Sequence, residues 1–86
     1  MKIEVRKPTE SEGRAAASWP IWEKEVSSFP WRYDEKETCL ILEGEVIVEA
    51  ENEKVSFKSG DYVVFPKGLD CTWKIKKVVR KHYKFG

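Results

Sequence analysis

Eighty-six residues make one small domain, residues 1–86, without room for a separate ligand-binding module. Lys+Arg number 16 against 15 Asp+Glu, a formal charge of +1, so no global field recruits nucleic acid or an acidic membrane. No apolar run approaches the ~20 residues needed to span a bilayer, and Met1–Arg6 lacks the apolar stretch of a signal peptide.

The hydrophobic fraction of 41% suffices for one core, and an aromatic fraction of 13% suits a barrel interior or a dimer contact. With only Cys39 and Cys71, a disulfide framework is not expected, and reduced thiols in the cytoplasm are the default.

In chain order, Ile3 and Val5 alternate with Lys2, Glu4 and Arg6, the period of a short leading strand. Thr9 to Ser18 is polar and Ala-rich and reads as one helical turn or a mobile loop. Trp19-Pro20-Ile21-Trp22 sets two large rings beside a proline, which favours an extended edge segment. From Thr38 the pattern is of consecutive strands. Thr38–Leu42 runs to a turn at Glu43-Gly44, and Glu45–Ala50 returns with Val46, Val48 and Ala50 on one face. Glu51-Asn52-Glu53 is a hairpin turn into Lys54–Phe57, and Lys58-Ser59-Gly60 turns into Asp61–Phe65. After Pro66-Lys67-Gly68, Cys71–Lys76 alternates Cys, Trp and Ile with Thr and Lys, and Val78–Phe85 closes the chain. Short strands between regular Gly/Pro turns predict an all-β fold, a small jelly-roll β-barrel of antiparallel strands.

Two motifs carry a resemblance. Glu37-Thr-Cys-Leu-Ile-Leu-Glu-Gly44 supplies the E-x6-G half of one cupin motif, G-x5-H-x-H-x3,4-E-x6-G. Gly60, Pro66 and Gly68 supply the G-x5-P-x-G of the other, G-x5-P-x-G-x2-H-x3-N. The chain resembles the cupins. Phe29-Pro-Trp31, Phe65–Trp73 and Arg80-Lys-His-Tyr83 look like the subfamily named after (S)-ureidoglycine aminohydrolase. The resemblance implies a cupin barrel over 31–86 with an N-terminal edge segment over 1–30, and a link to ureides or other nitrogen-rich small molecules. Carried over by position, the first motif's histidines fall at Trp31 and Tyr33, the second's at Cys71, and its asparagine at Ile75; only Glu37 keeps its ligand type.

Alternation points Trp31, Tyr33, Glu37, Cys39, Cys71 and Trp73 inward, so the site is still a pocket, of rings, one carboxylate and thiols. Three readings stay open. In one, the pocket binds a small polar molecule without a metal, with Glu37 as general acid/base, Cys71 as nucleophile or polar anchor, and Tyr33 and Trp73 as walls. An enzyme of this kind would be a hydrolase acting on a small nitrogen-rich metabolite. In another, a divalent Mn, Fe or Zn survives on Glu37, Cys71 and Tyr33, against the usual need for three or four N, O or S donors; His82 would enlarge the set if the last strand aims it inward. In the third, the domain is structural or regulatory. Trp19, Trp22 and Phe29 on an edge segment favour a homodimer. The basic cluster Lys74–Lys81 reads as the solvated face of the last strands.

Overall fold

The structure, a computed structural model, describes Met1–Gly86. Eight elements follow in order: β1 (Glu4–Arg6), α1 (Glu10–Ala16), β2 (Ile21–Lys24), β3 (Ser27–Arg32), β4 (Glu37–Ala50), β5 (Lys54–Lys58), β6 (Tyr62–Phe65) and β7 (Asp70–Phe85). The strands form one antiparallel sheet in the order β1-β6-β4-β7-β2, with β3 also on β7 and β5 on β4. It curls around 14 buried residues, among them Val48, Val63, Phe65, Trp73 and Val79. The all-β architecture expected from the turn spacing is what forms. No helix is long and apolar enough to cross a membrane.

One turn and one strand break expected from sequence do not form. Glu43-Gly44 fits a turn by sequence, yet β4 runs unbroken through it, and the two closing strands, Cys71–Lys76 and Val78–Phe85, are one strand, β7. The β4–β7 register shifts instead, between Ile41, Glu43, Glu45 and Val46. Gly44 makes this bulge sterically feasible. Its φ is +104°, and a Cβ there would lie 2.4 Å from the Val78 carbonyl oxygen. Across the irregularity, β4 buries Glu37, Cys39 and Ile41 on one side and Val46 and Val48 on the other, odd positions giving way to even. A one-residue slip flips the buried face of a strand. β7 keeps its parity, burying Cys71, Trp73, Ile75, Val79 and Lys81.

Thr9–Ser18 resolves in favour of a helix. The Thr9 hydroxyl accepts from the Glu12 amide at 3.2 Å, and the Glu12 carboxylate accepts from the Thr9 amide at 2.8 Å. This is a capping box, legible as T-x-x-E. Arg6 then holds both Glu12 oxygens at 2.7 Å, tying α1 to β1.

Candidate functional site

The parity of β4 and β7 decides what the barrel interior contains. Glu37 pairs with Phe85, and Ile41 with Lys81, so Glu37 and Lys81 share the inner face on a long diagonal, four residues apart in register. Only a long side chain spans that diagonal, and lysine does. Lys81 Nζ donates to Glu37 Oε2 at 2.7 Å, with the side chains 6% and 3% exposed. Lys81 therefore does not belong to the solvated basic face where the sequence had placed it. The period-two run Cys71, Trp73, Ile75, Val79, Lys81 carried the signal that would have found it.

Tyr33 completes the polar end. Its hydroxyl donates to Glu37 Oε1 at 2.8 Å, and its ring stacks on Phe65 with centroids 4.9 Å apart. The Pro66–Gly68 turn positions it: the Tyr33 amide donates to Leu69 O at 2.9 Å, and the Gly68 amide donates to Tyr33 O at 2.7 Å. Gly68 has φ +87°, so the motif's second glycine places a site residue as well as making a turn.

Beside this cluster opens a cavity of about 210 Å³. Glu37, Tyr33 and Lys81 form its polar lining, and Trp22, Phe29, Trp31, Trp73, Tyr83 and Phe85 its aromatic walls. Trp31, 47% exposed, stands at the mouth. The Lys81 ammonium lies 4.7 Å from the Trp22 ring centroid and 4.5 Å from that of Trp73, a two-ring cage for the charge. Trp73 Nε1 is buried without a hydrogen-bond partner.

Comparison with known proteins agrees with this architecture. Residues 11–83 match the profile of the EutQ-like cupin domain. The chain belongs to that cupin family. It is 38% identical over 76 residues to the acetate kinase EutQ of Salmonella typhimurium, covering 87% of this chain but 32% of that protein. The chain thus spans about a third of that relative's length. Among solved structures, a DUF861 family protein of Thermotoga maritima is 49% identical with a TM-score of 0.93, covering 99% of this chain and 100% of that one. The Clostridium difficile EutQ protein, 23% identical, shares the fold at a TM-score of 0.70 over 76% of this chain and 52% of its own.

The divalent metal that the cupin motifs imply does not fit these residues. Both Glu37 oxygens already accept hydrogen bonds, and an ammonium stands 2.7 Å from one of them. No three His, Cys, Asp or Glu side chains cluster anywhere in the fold. Tyr33 is a weak donor set's third member only as phenolate. Burial first, then the Glu37 charge, push its pKa far above the ordinary tyrosine range, so it stays a neutral donor.

Three residues named from sequence lie outside the cavity lining. Cys71 points its Sγ at the Trp31 carbonyl, 3.6 Å away. Burial, then the Asp70 and Glu37 charges, raise its pKa to about 11, so it is a packed thiol at neutral pH with no cation to make it a nucleophile. Cys39 is fully buried, and burial lifts its thiol to about 12 despite the opposing pull of Lys81. His82 sits on the outer parity of β7, where Nδ1 donates to the Trp19 carbonyl at 2.9 Å and pins the chain entering β2. The four that do converge are Trp31, Tyr33, Glu37 and Trp73.

Proposed function

We propose that this cupin domain binds a small, neutral, planar polar molecule in the aromatic cavity, without a metal. The observation that carries the reading is the Glu37–Lys81 pair, buried at the cavity's polar end with its charges 2.7 Å apart. The two charges cancel, so the site supplies hydrogen bonding with no net charge. An ion entering from water would lose its hydration without gaining an unpaired countercharge. A neutral amide, ureide or carbonyl compound loses far less, and its flat face suits the rings of Trp73 and Phe29, which stack 6.1 Å apart. The volume is small beside the ~300–1,000 Å³ of sites for drug-sized ligands, which favours a molecule of a few heavy atoms.

Ureidoglycine-type hydrolysis with ammonia release is the enzymatic alternative, with Glu37 moving the proton; Glu37's place in the cavity lining supports it, while ureidoglycine's carboxylate meets the same cancelled charge as any other anion. Acetate, named in the Salmonella relative, is an anion, and the cancelled charge favours neutral compounds over it. Cytoplasmic residence, with both cysteines free, belongs to the same proposal.

Three of the cavity residues are tryptophans, Trp22, Trp31 and Trp73, so intrinsic fluorescence reports occupancy directly. Titration with small amides, ureas and carbonyl compounds is expected to give saturable quenching that Lys81→Met weakens. No saturable change with any neutral compound, or tighter binding of short carboxylates than of their amides, overturns the reading.

A further inference from the structure

We propose that Lys81 captures its ligand covalently: its ε-amine condenses with the carbonyl carbon of a small aldehyde or ketone held in the cavity, forming an iminium. The inference rests on the binding reading above and assigns the ligand class and the reacting atom. Lys81 is the one lysine among the buried residues, and it lines the cavity. Structural need alone does not account for it, because well-packed apolar side chains replace a buried ion pair without loss of stability in many proteins. A buried amine beside a proton acceptor is instead the arrangement that Schiff-base chemistry requires.

The geometry provides each step. Attack needs a neutral amine. Moving one proton from Lys81 Nζ to Glu37 Oε2 across 2.7 Å makes one while leaving the net charge of the pair unchanged. That transfer also removes two desolvated charges from a low-dielectric site. The amine then adds to the carbonyl carbon, and the C=O π pair moves to oxygen. Glu37 returns its proton to that oxygen, a second N–H proton follows by way of the same carboxylate, and water leaves as the C=N bond forms. Overall, an ammonium and a carbonyl become a protonated imine and one water, with the Glu37 carboxylate regenerated. The product cation occupies the place of the ammonium, within the Trp22 and Trp73 cage and against Glu37. Tyr33, hydrogen-bonded to Oε1, keeps Oε2 turned toward Lys81.

The test is reductive trapping on the full chain. Propionaldehyde and butan-2-one, each substoichiometric, are incubated with protein, quenched with borohydride and mapped by peptide mass. Lys81 is expected to be alkylated at least tenfold faster than exposed Lys67 or Lys84, and Glu37→Gln is expected to abolish that preference. Alkylation of exposed lysines with Lys81 untouched overturns the proposal. So does a Glu37→Gln variant that traps at Lys81 as fast as the parent. Tryptophan fluorescence in the same samples separates the two claims: quenching by the carbonyl probes without trapping at Lys81 sinks covalent capture alone, and absence of quenching by all neutral compounds sinks the binding reading with it.

Discussion

Removing the Lys81 ammonium should be among the most damaging single changes to this fold. Lys81→Met keeps an unbranched side chain of similar length and deletes the charge that lies against Trp22 and Trp73. Glu37 is then left 3% exposed with one oxygen unpartnered, only the Tyr33 hydroxyl still donating to it. Breaking a buried pair by removing one partner costs about 3–5 kcal/mol. Set against a total stability of ~5–15 kcal/mol, that is a fifth or more of what holds a small domain together. For a chain of this size it corresponds to a fall in Tm of about 12–40 °C. The double variant Glu37→Leu/Lys81→Met removes both charges and should recover most of the loss, because it leaves nothing charged to be buried. Urea denaturation of the parent, both singles and the double closes a thermodynamic cycle, and a large coupling energy is expected. A single-variant cost below ~1 kcal/mol, or additive losses in the double, would show that the two groups are solvated and unpaired, and the neutral-site argument would fall with them.

Gly44→Ala should destabilise by about 1–3 kcal/mol, read by thermal melting, since it forces a Cβ into the Val78 carbonyl at φ +104°. Cys71 alkylation should stay slow at pH 8 and rise through pH about 11 in the folded protein; an apparent pKa near the free-thiol value of ~8.5 would refute the packing described for it. The Glu12 carboxylate is held down to about 2 by Arg6 first and then by the Thr9 amide, so its contribution is present above its ordinary range and lost as pH falls toward 2. Glu12→Gln should therefore lower stability at pH 7 and flatten the acid limb of the stability curve below pH ~4.5, and an unchanged limb would count against the cap. We propose a homodimer joined at the β2–β3 edge, where Ile21 and Val26 are exposed; light scattering should give twice the chain mass, and Val26→Glu should return it to the monomer.

How much of this was legible follows from which interactions are local. Thr9 and Glu12 are three residues apart, so the helix start is written in the sequence even though its Ala-rich body also suited a loop. Gly60, Pro66 and Gly68 act through turns, and their spacing predicted the barrel without any knowledge of partners. Glu37, Tyr33 and Trp73 could be placed inward because each lies on a stretch of regular alternation, whereas Trp31, placed inward on the same ground, reaches only the cavity mouth. Gly44 was misread because a glycine between two apolar runs fits a hairpin and a bulge equally well, and only the pairing with β7 decides between them. His82 and Lys81 are adjacent, so one had to face in and the other out. Membership of one basic cluster with Lys74, Lys76, Lys77 and Arg80 made the outward reading of Lys81 attractive.

That last choice is also where the chemistry of the site turns. The cupin motifs give imidazoles to the positions of Trp31, Tyr33 and Cys71, and none of these three can take over an imidazole's role toward a divalent ion here. Glu37 remains, and burying a carboxylate is costly unless it is paired. Lys81, from the opposite strand, supplies the pairing cation from within the chain. A metal's charge is fixed, whereas an ammonium's leaves with its proton, and the proton's nearest acceptor is the carboxylate it neutralises. The same frame that elsewhere arranges donors around an ion thus arranges, here, a hydrogen-bonded carboxylate and ammonium at the end of an aromatic cavity. Substitution at Glu37 and at Lys81 should for that reason be interdependent in binding as well as in stability, which independent roles in packing would not produce.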